Sequence, residues 1–306
     1  MSKPANTPAT PPGAWRRLIR NRTAVASMAV LGLIALLAAA GPALFHTDPH
    51  GTSSLQFAPP SSAHPFGTDL NGRDVFSRVL EGARISLLVG LSGALVSFLI
   101  GTTYGVVSGY IGGRVDGFMM RTVEVLYAIP RLILILIASF VFDPLLKTYL
   151  AGFWDGQLVG YSKILILILS LGLIEWLTMA RIVRGQVLAL KNQQFVLAAR
   201  SLGQSHLRII TRHLLPNLMG VVVVYLTLTI PAVVLDESFL SFLGLGIQAP
   251  QASWGSLLAD GAQVINPVRS YWWLLAFPAL LMSATLLALN FLGDGLRDAL
   301  DPRQRK

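Results

Sequence analysis

Six long apolar runs, parted by polar or turn-rich stretches, dominate the 306-residue chain. They lie at Thr23–Phe45 and at about Ile85–Tyr110, Phe118–Phe142, Lys163–Ile182, Leu218–Leu235 and Trp272–Leu292. Each approaches the roughly 20 apolar residues that carry a helix across a bilayer core. Pro130-Arg131 interrupts the third run. A proline there removes a backbone hydrogen bond and predicts a kink, and an arginine at that depth must face protein or water. Pro231 is expected to break the fifth run. In the second run Gly93, Ser97, Gly101, Gly105 and Gly109 recur every fourth residue, a small-xxx-small face for close helix packing. Val75, Val79 and Gly82, with Phe76 and Leu80, predict a short surface helix leading into that run.

Between the fourth and fifth runs the pattern changes. Phe195, Val196, Ala199 and Leu202 recur at helical spacing, and Gly203 offers a stop. Leu207, Ile210 and Leu214 form a second stripe, with Arg208 and Arg212 off it. The segment predicts helix, turn, helix. Ala198 and Ala199 beside Gly203 predict a shallow surface that another protein can approach closely.

Composition fits this pattern. The chain is 53% hydrophobic and 13% charged, with a mean hydropathy of +0.61, which excludes a soluble domain and indicates an all-α polytopic protein of the lipid bilayer. A net charge of +9 raises nucleic acid as a partner. The basic residues, however, sit at the ends of apolar runs rather than on one soluble face, so no nucleic acid is expected. Of the 24 Lys and Arg, most fall on the side that holds both termini when six spans are threaded from Arg16, Arg17, Arg20 and Arg22. That bias places both ends in the cytoplasm. Without a convincing cleavage site, Ala24–Ala40 reads as a retained anchor rather than a signal peptide. The expected organisation is a disordered tail (1–22), a first span with an external loop (23–82), a core of five spans (83–293) holding a loop at 186–217, and a C-terminal tail (294–306). Trp154 and Tyr161 suit an interfacial belt.

The chain lacks the chemistry of a motor or a hydrolase. It has no Gly-x-x-x-x-Gly-Lys-[Ser/Thr] phosphate loop and no His-Glu-x-x-His, no cysteine, and no nucleophile with a partnered base. His46, His50 and His64 lie near one another but lack a clear third ligand, so no metal site is expected. Glu124, Glu175 and Glu237, in or near the spans, stand as candidates for a solute conduit or, for Glu175, an ion-coupling site.

The Phe195–Asn217 segment resembles the cytoplasmic "EAA" loop of the permeases of binding-protein-dependent ABC importers. Ala198, Ala199, Gly203, His213, Pro216 and Asn217 match that pattern, while Leu197 stands where the family has Glu. The strings around Phe66–Arg84, Trp176–Leu190, Phe239–Gly246 and Asn290–Arg303 are similar to those of the dipeptide/oligopeptide/nickel branch, in its C-type permease. The resemblance implies a type I importer permease fold with six transmembrane helices and a coupling helix bearing Phe195. It also implies a second permease, two ATP-binding subunits and an external solute-binding protein as partners. ATP and magnesium belong to the ATPase subunits, so this chain holds no cofactor and is not itself an enzyme. Cargo is expected to be di- or oligopeptides, with nickel or another small solute as the alternative, and an ion-coupled secondary transporter as the competing class.

Overall fold

A computed structural model describes residues 14–45, 48–152 and 160–300. The tail before Ala14, His46, Trp154 and the residues after Leu300 lie outside that description. The helices are α1 (Ala14–Arg20), α2 (Arg22–Phe45), α3 (Val75–Ile111), α4 (Gly113–Ala128), α5 (Arg131–Ala151), α6 (Ser162–Leu190), α7 (Gln194–Ser201), α8 (His206–Ile209), α9 (Leu215–Phe242), α10 (Trp254–Gln263) and α11 (Trp273–Leu300). A π-helical turn at Ile210–Leu214 joins α8 to α9. Among the described residues six helical stretches are long and apolar enough to span a membrane: α2, α3, α5, α6, the continuous run His206–Phe242, and α11.

The core pair is α3 and α6. An ideal Cβ on Gly101 would fall 2.6 Å from the Cβ of Met179, one on Gly105 2.5 Å from the Ala180 carbonyl, and one on Gly109 3.0 Å from the Arg184 carbonyl. Gly93 lies against Val233 of α9 and near Gly172, and Ser97 is buried in the same row. In lipid there is no hydrophobic drive between helices, so backbone approach of this kind is what holds them. Helix α9 lies across α3, and α11 and α2 pack outside it.

Several boundaries differ from the sequence expectation. The third apolar run is not one kinked span. Ile129, placed before a proline, is extended (φ −81°, ψ 131°), so α4 ends at Ala128 and the span begins at Arg131 and continues to Ala151. Helix α4 is amphipathic: Asp116, Met120 and Val123 turn inward, the two apolar ones against Trp176, Leu177 and Ala180 of α6. The boundary at 82/83 cuts through α3, which starts at Val75 because Asp74 caps it: its carboxylate accepts from the Ser77 amide (2.9 Å) and hydroxyl (2.6 Å). Val75, Val79 and Leu80 are buried, not on a surface helix. The tail placed at 1–22 includes helix α1, whose Leu18 packs with Ala24 and Ala299. The C-terminal boundary at 293 likewise falls within α11. Pro231 lies inside an unbroken α9.

The two ends of the bundle are built differently. The near end carries α7, α8 and the start of α4. At the far end, α10 sits at the junction of α3 and α9, beside a folded segment around Thr68–Asp74. Asp69 accepts there from the side chains of Arg73 and Arg78, both at 2.8 Å, and Arg78 also reaches Asp260 at 3.2 Å. Gly67 and Gly72 both take positive φ (74° and 69°) to make its turns. The residues from Phe66 to Arg84 that carried the family resemblance are thus largely the scaffold of this segment.

Candidate functional site

The near-end loop is fixed by its own backbone chemistry. At the end of α7 the Gly203 amide donates to the Arg200 carbonyl (2.9 Å) and the Gln204 amide to the Ala199 carbonyl (3.1 Å), with Gly203 at φ +73°. This is a Schellman termination, which favours glycine at that position. Nothing lies within 4 Å of a Cβ built on Gly203, so its constraint is the left-handed backbone rather than lack of room. Ser205 then caps α8 by accepting from the Arg208 amide (3.4 Å).

The two alanines of the loop part company. Ala199 is buried with Val196, Ile209, Leu214 and Leu218 against Val183 and Val187 of α6, while Ala198 faces out. Four larger apolar side chains also face out: Phe195 (40% exposed), Leu197 (46%), Leu202 (81%) and Leu207 (72%). In place of the shallow face predicted from the alanine pair, exposed larger apolar side chains flank a thin buried stripe. Leu197, at the family's Glu position, is one of them. From sequence, Leu207 was placed on the second stripe with Ile210 and Leu214. The structure instead puts Ile209 and Leu214 inside.

Polar bonds tie the loop to the spans. The Tyr110 hydroxyl meets His206 Nδ1 at 2.8 Å, the Lys191 ammonium donates to the Gly109 carbonyl at 2.8 Å, and the Arg200 guanidinium lies over the Tyr110 ring. His213 Nε2 pairs with Gln204 Oε1 at 3.0 Å, and the Asn217 amide donates to the His213 carbonyl at 2.7 Å. From His213 to Asn217 the chain is continuous helix. The helix passes through, widened to the π form just ahead of Pro216, whose missing N–H and bulky ring disfavour the regular pattern.

Beside the loop, Asp116 of α4 receives Arg184 of α6 through two bonds (2.5 and 2.6 Å) and the Ser108 hydroxyl of α3 at 2.5 Å. The Arg184 guanidinium, helped by the Ser108 hydroxyl against the effect of burial, holds the Asp116 carboxyl below the usual carboxylate range. The sequence gives no hint of this contact, because Asp116 and Arg184 are separated by a whole span.

The three conduit candidates have different settings. Glu124 is exposed on α4 and pairs with Arg121 at 3.4 Å. Glu175 binds the Arg131 guanidinium, which also binds Asp236. Glu237 has no exposed surface. It accepts from the hydroxyls of Ser86 (2.8 Å) and Ser241 (2.7 Å), so in this conformation it joins helices and lines no pathway. His50 and His64 do not share a site: His50 Nε2 faces Glu81 at 3.5 Å and His64 Nδ1 meets the Asp74 carboxylate at 3.0 Å.

The family model described as "Binding-protein-dependent transport system inner membrane component" matches residues 101–306. The chain belongs to this family. A second model, the N-terminal transmembrane domain of oligopeptide transport permease C, matches residues 13–60. The dipeptide transport system permease protein DppC of Bacillus subtilis (strain 168) is 48% identical over 294 residues, spanning 96% of this chain and 86% of the relative. The oligopeptide transport system permease protein OppC of Escherichia coli (strain K12) is 48% identical over 295 residues, spanning 95% and 91%. An inward-facing structure of the MetNI methionine ABC transporter shares the fold with a TM-score of 0.56 at 18% identity, covering 74% of this chain and 98% of that one. The chain is a multi-pass permease subunit of the inner membrane with the type I importer fold, and leaves ATP hydrolysis to separate ATPase subunits. Family membership also implies a solute-binding protein, and it removes the secondary-transporter reading of Glu175.

Proposed function

We propose that this chain is half of the translocation path of an ATP-driven peptide importer. Its relatives carry dipeptide and oligopeptide transport in their names. Nickel or another small solute remains the alternative cargo. A second, related permease completes the path as a heterodimer. Two ATP-binding subunits, with their ATP and magnesium, dock at the near end, which is cytoplasmic and holds both termini, as the bias of basic residues supports. The solute-binding protein docks at the far end.

The observation that carries the coupling role is the exposed ridge of Phe195, Leu197, Leu202 and Leu207 on helices anchored from behind. An apolar ridge on a polar loop suits a groove in a partner protein. Closure of the ATPase pair moves α7 and α8 together, since the Schellman turn and the His213–Gln204 bond make them one piece. Motion passes through Tyr110–His206 and Lys191–Gly109 to the ends of α3 and α6, and through the π turn into α9.

Leu202→Asp tests this in the whole complex expressed with its partners. Leu202 touches little of its own chain, so the variant is expected to reach the membrane at normal levels, within about 0.5 kcal/mol of wild-type stability. Recovery of the ATPase subunits on the tagged chain should fall at least about tenfold, which corresponds to roughly 1.4 kcal/mol of lost docking energy. Full recovery with normal uptake would exclude the ridge as the docking surface.

A further inference from the structure

Arg131, Glu175 and Asp236 come from three different spans, α5, α6 and α9, and meet at one place. The Arg131 guanidinium is bound by both carboxylates. It lies at the first position of α5, directly after the break at Pro130. Arg131 keeps 41% of its side-chain surface exposed, Asp236 22% and Glu175 11%. Ionic groups left open on a span are costly toward lipid, so they face water or protein within the membrane. The rest of that face of α6 supports a wet surface. Thr178 and Arg181 follow Glu175 at three-residue spacing, are exposed, and are joined to Tyr127 of α4 by a 2.9 Å hydroxyl contact and by the guanidinium stacked 3.9 Å over its ring. Leu165, Leu169 and Leu173 make a separate, apolar exposed row on the same helix. Helix α6 thus has one lipid-compatible face and one polar face, and the triad tops the polar one.

One guanidinium meets two carboxylates there, so the site holds one carboxylate more than its own cation neutralises. We infer that Arg131, Glu175 and Asp236 form a charge-selective position on the translocation path, at which the surplus carboxylate receives the side-chain ammonium group of a basic cargo. Arg131 has a positioning role. It holds the two acids side by side and keeps them from repelling each other when no cargo is present. The inference rests on the peptide-importer reading above and concerns the side-chain ammonium of a basic peptide, since the α-ammonium is common to every unblocked peptide and distinguishes none.

The test uses the complete transporter in proteoliposomes, with its binding protein loaded to saturation by either Lys-Ala or Glu-Ala. Asp236→Asn leaves the Arg131–Glu175 pair intact and so leaves no unpaired charge. It is expected to lower the Lys-Ala uptake rate about fivefold, the worth of one partly exposed ion pair, and to leave the Glu-Ala rate unchanged. Asp236→Glu is expected to restore the wild-type ratio. Equal loss for both peptides would show a clamp that merely holds three spans together and would overturn the inference, as would no change for either. If the wild-type complex moves neither peptide, the peptide reading itself fails and the inference falls with it, an outcome distinguished by the lack of wild-type uptake.

Discussion

The far end and the near end of the bundle use the same kinds of side chain to opposite effect. At the far end polar groups are inside. Glu237 is fully buried among serine hydroxyls, the Ser86 hydroxyl also accepts from the Trp254 amide at 3.3 Å, and the Ser241 hydroxyl accepts from the Ile247 amide at 2.9 Å. One carboxylate and two serines thereby fix α3, α9, the turn after it and α10 together. At the near end Asp116, with Ser108 and Arg184, ties α4 to α3 and α6, but the loop beyond it leaves large apolar side chains exposed. Buried polar networks enforce one arrangement because any slip leaves a group unsatisfied. Exposed leucines cost their own chain little to move. The far end is a fixed frame, and the near end is a handle.

The sharpest way to break this contrast is Glu237→Ala. It removes the acceptor for the buried hydroxyls of Ser86, Ser238 and Ser241 and opens a cavity, and should destabilise the chain by about 3–5 kcal/mol. The readout is the amount of folded chain in the membrane fraction and the melting temperature of the purified complex. Glu237→Gln, which keeps hydrogen-bonding oxygen and shape, should lose much less. If Glu237→Ala melts like the wild type, the far end is not a fixed frame.

The α3–α6 seam should come next. Gly105→Leu would force a side chain into the Ala180 carbonyl and the Val183 Cβ, an overpacking expected to cost about 1–3 kcal/mol. Thermal unfolding of the complex in detergent measures this, and an unchanged melting temperature would mean that the two helices do not pack as described. The smallest effect belongs to the near end. Gly203→Val faces open space but a left-handed backbone, and should cost roughly 1–2 kcal/mol, confined to the loop. Gly203→Asn, which tolerates that conformation, should be almost neutral. Proteolysis of the loop in membrane vesicles distinguishes them. If Asn were as harmful as Val, side-chain size rather than backbone conformation would be the constraint.

Much of the frame was legible in the sequence because bilayer thickness and helical period act locally. Five of the six apolar runs each hold a span and the third holds the start of one, most of the four-residue glycine row lies against α6, and Gly203 ends α7. Pro130 was visible too, but its effect was not. Whether proline kinks a helix or ends it depends on the residue before it, and Ile129 took the extended form. The electrostatic contacts were hidden for a different reason. Arg131 and Glu175 were visible as charges within apolar runs, yet nothing in their spacing showed that three spans would bring them together with Asp236. Glu237 adjoins Asp236 in sequence, and only the packing of its surroundings separates a sealed carboxylate from one that remains partly open. The outward turn of Leu202 and Leu207 also depends on which side of the loop meets α6, which a helical stripe alone does not specify.

Arg84 has a consequence for the outermost helix. Its guanidinium donates to the carbonyls of Ala38 and Ala39 in α2. Four residues beyond Ala38 stands Pro42, which has no amide hydrogen to return, so the Ala38 carbonyl lacks its usual helical donor. In hydrocarbon no water replaces that donor. Helix α2 is therefore keyed to α3 at a single depth. A shift by one helical turn, about 5.4 Å, would strand both a bare carbonyl and a guanidinium in lipid. A helix that looks like a loose outer stave of the barrel has a notch that fits one peg, so it must ride with α3 wherever the transport cycle carries it.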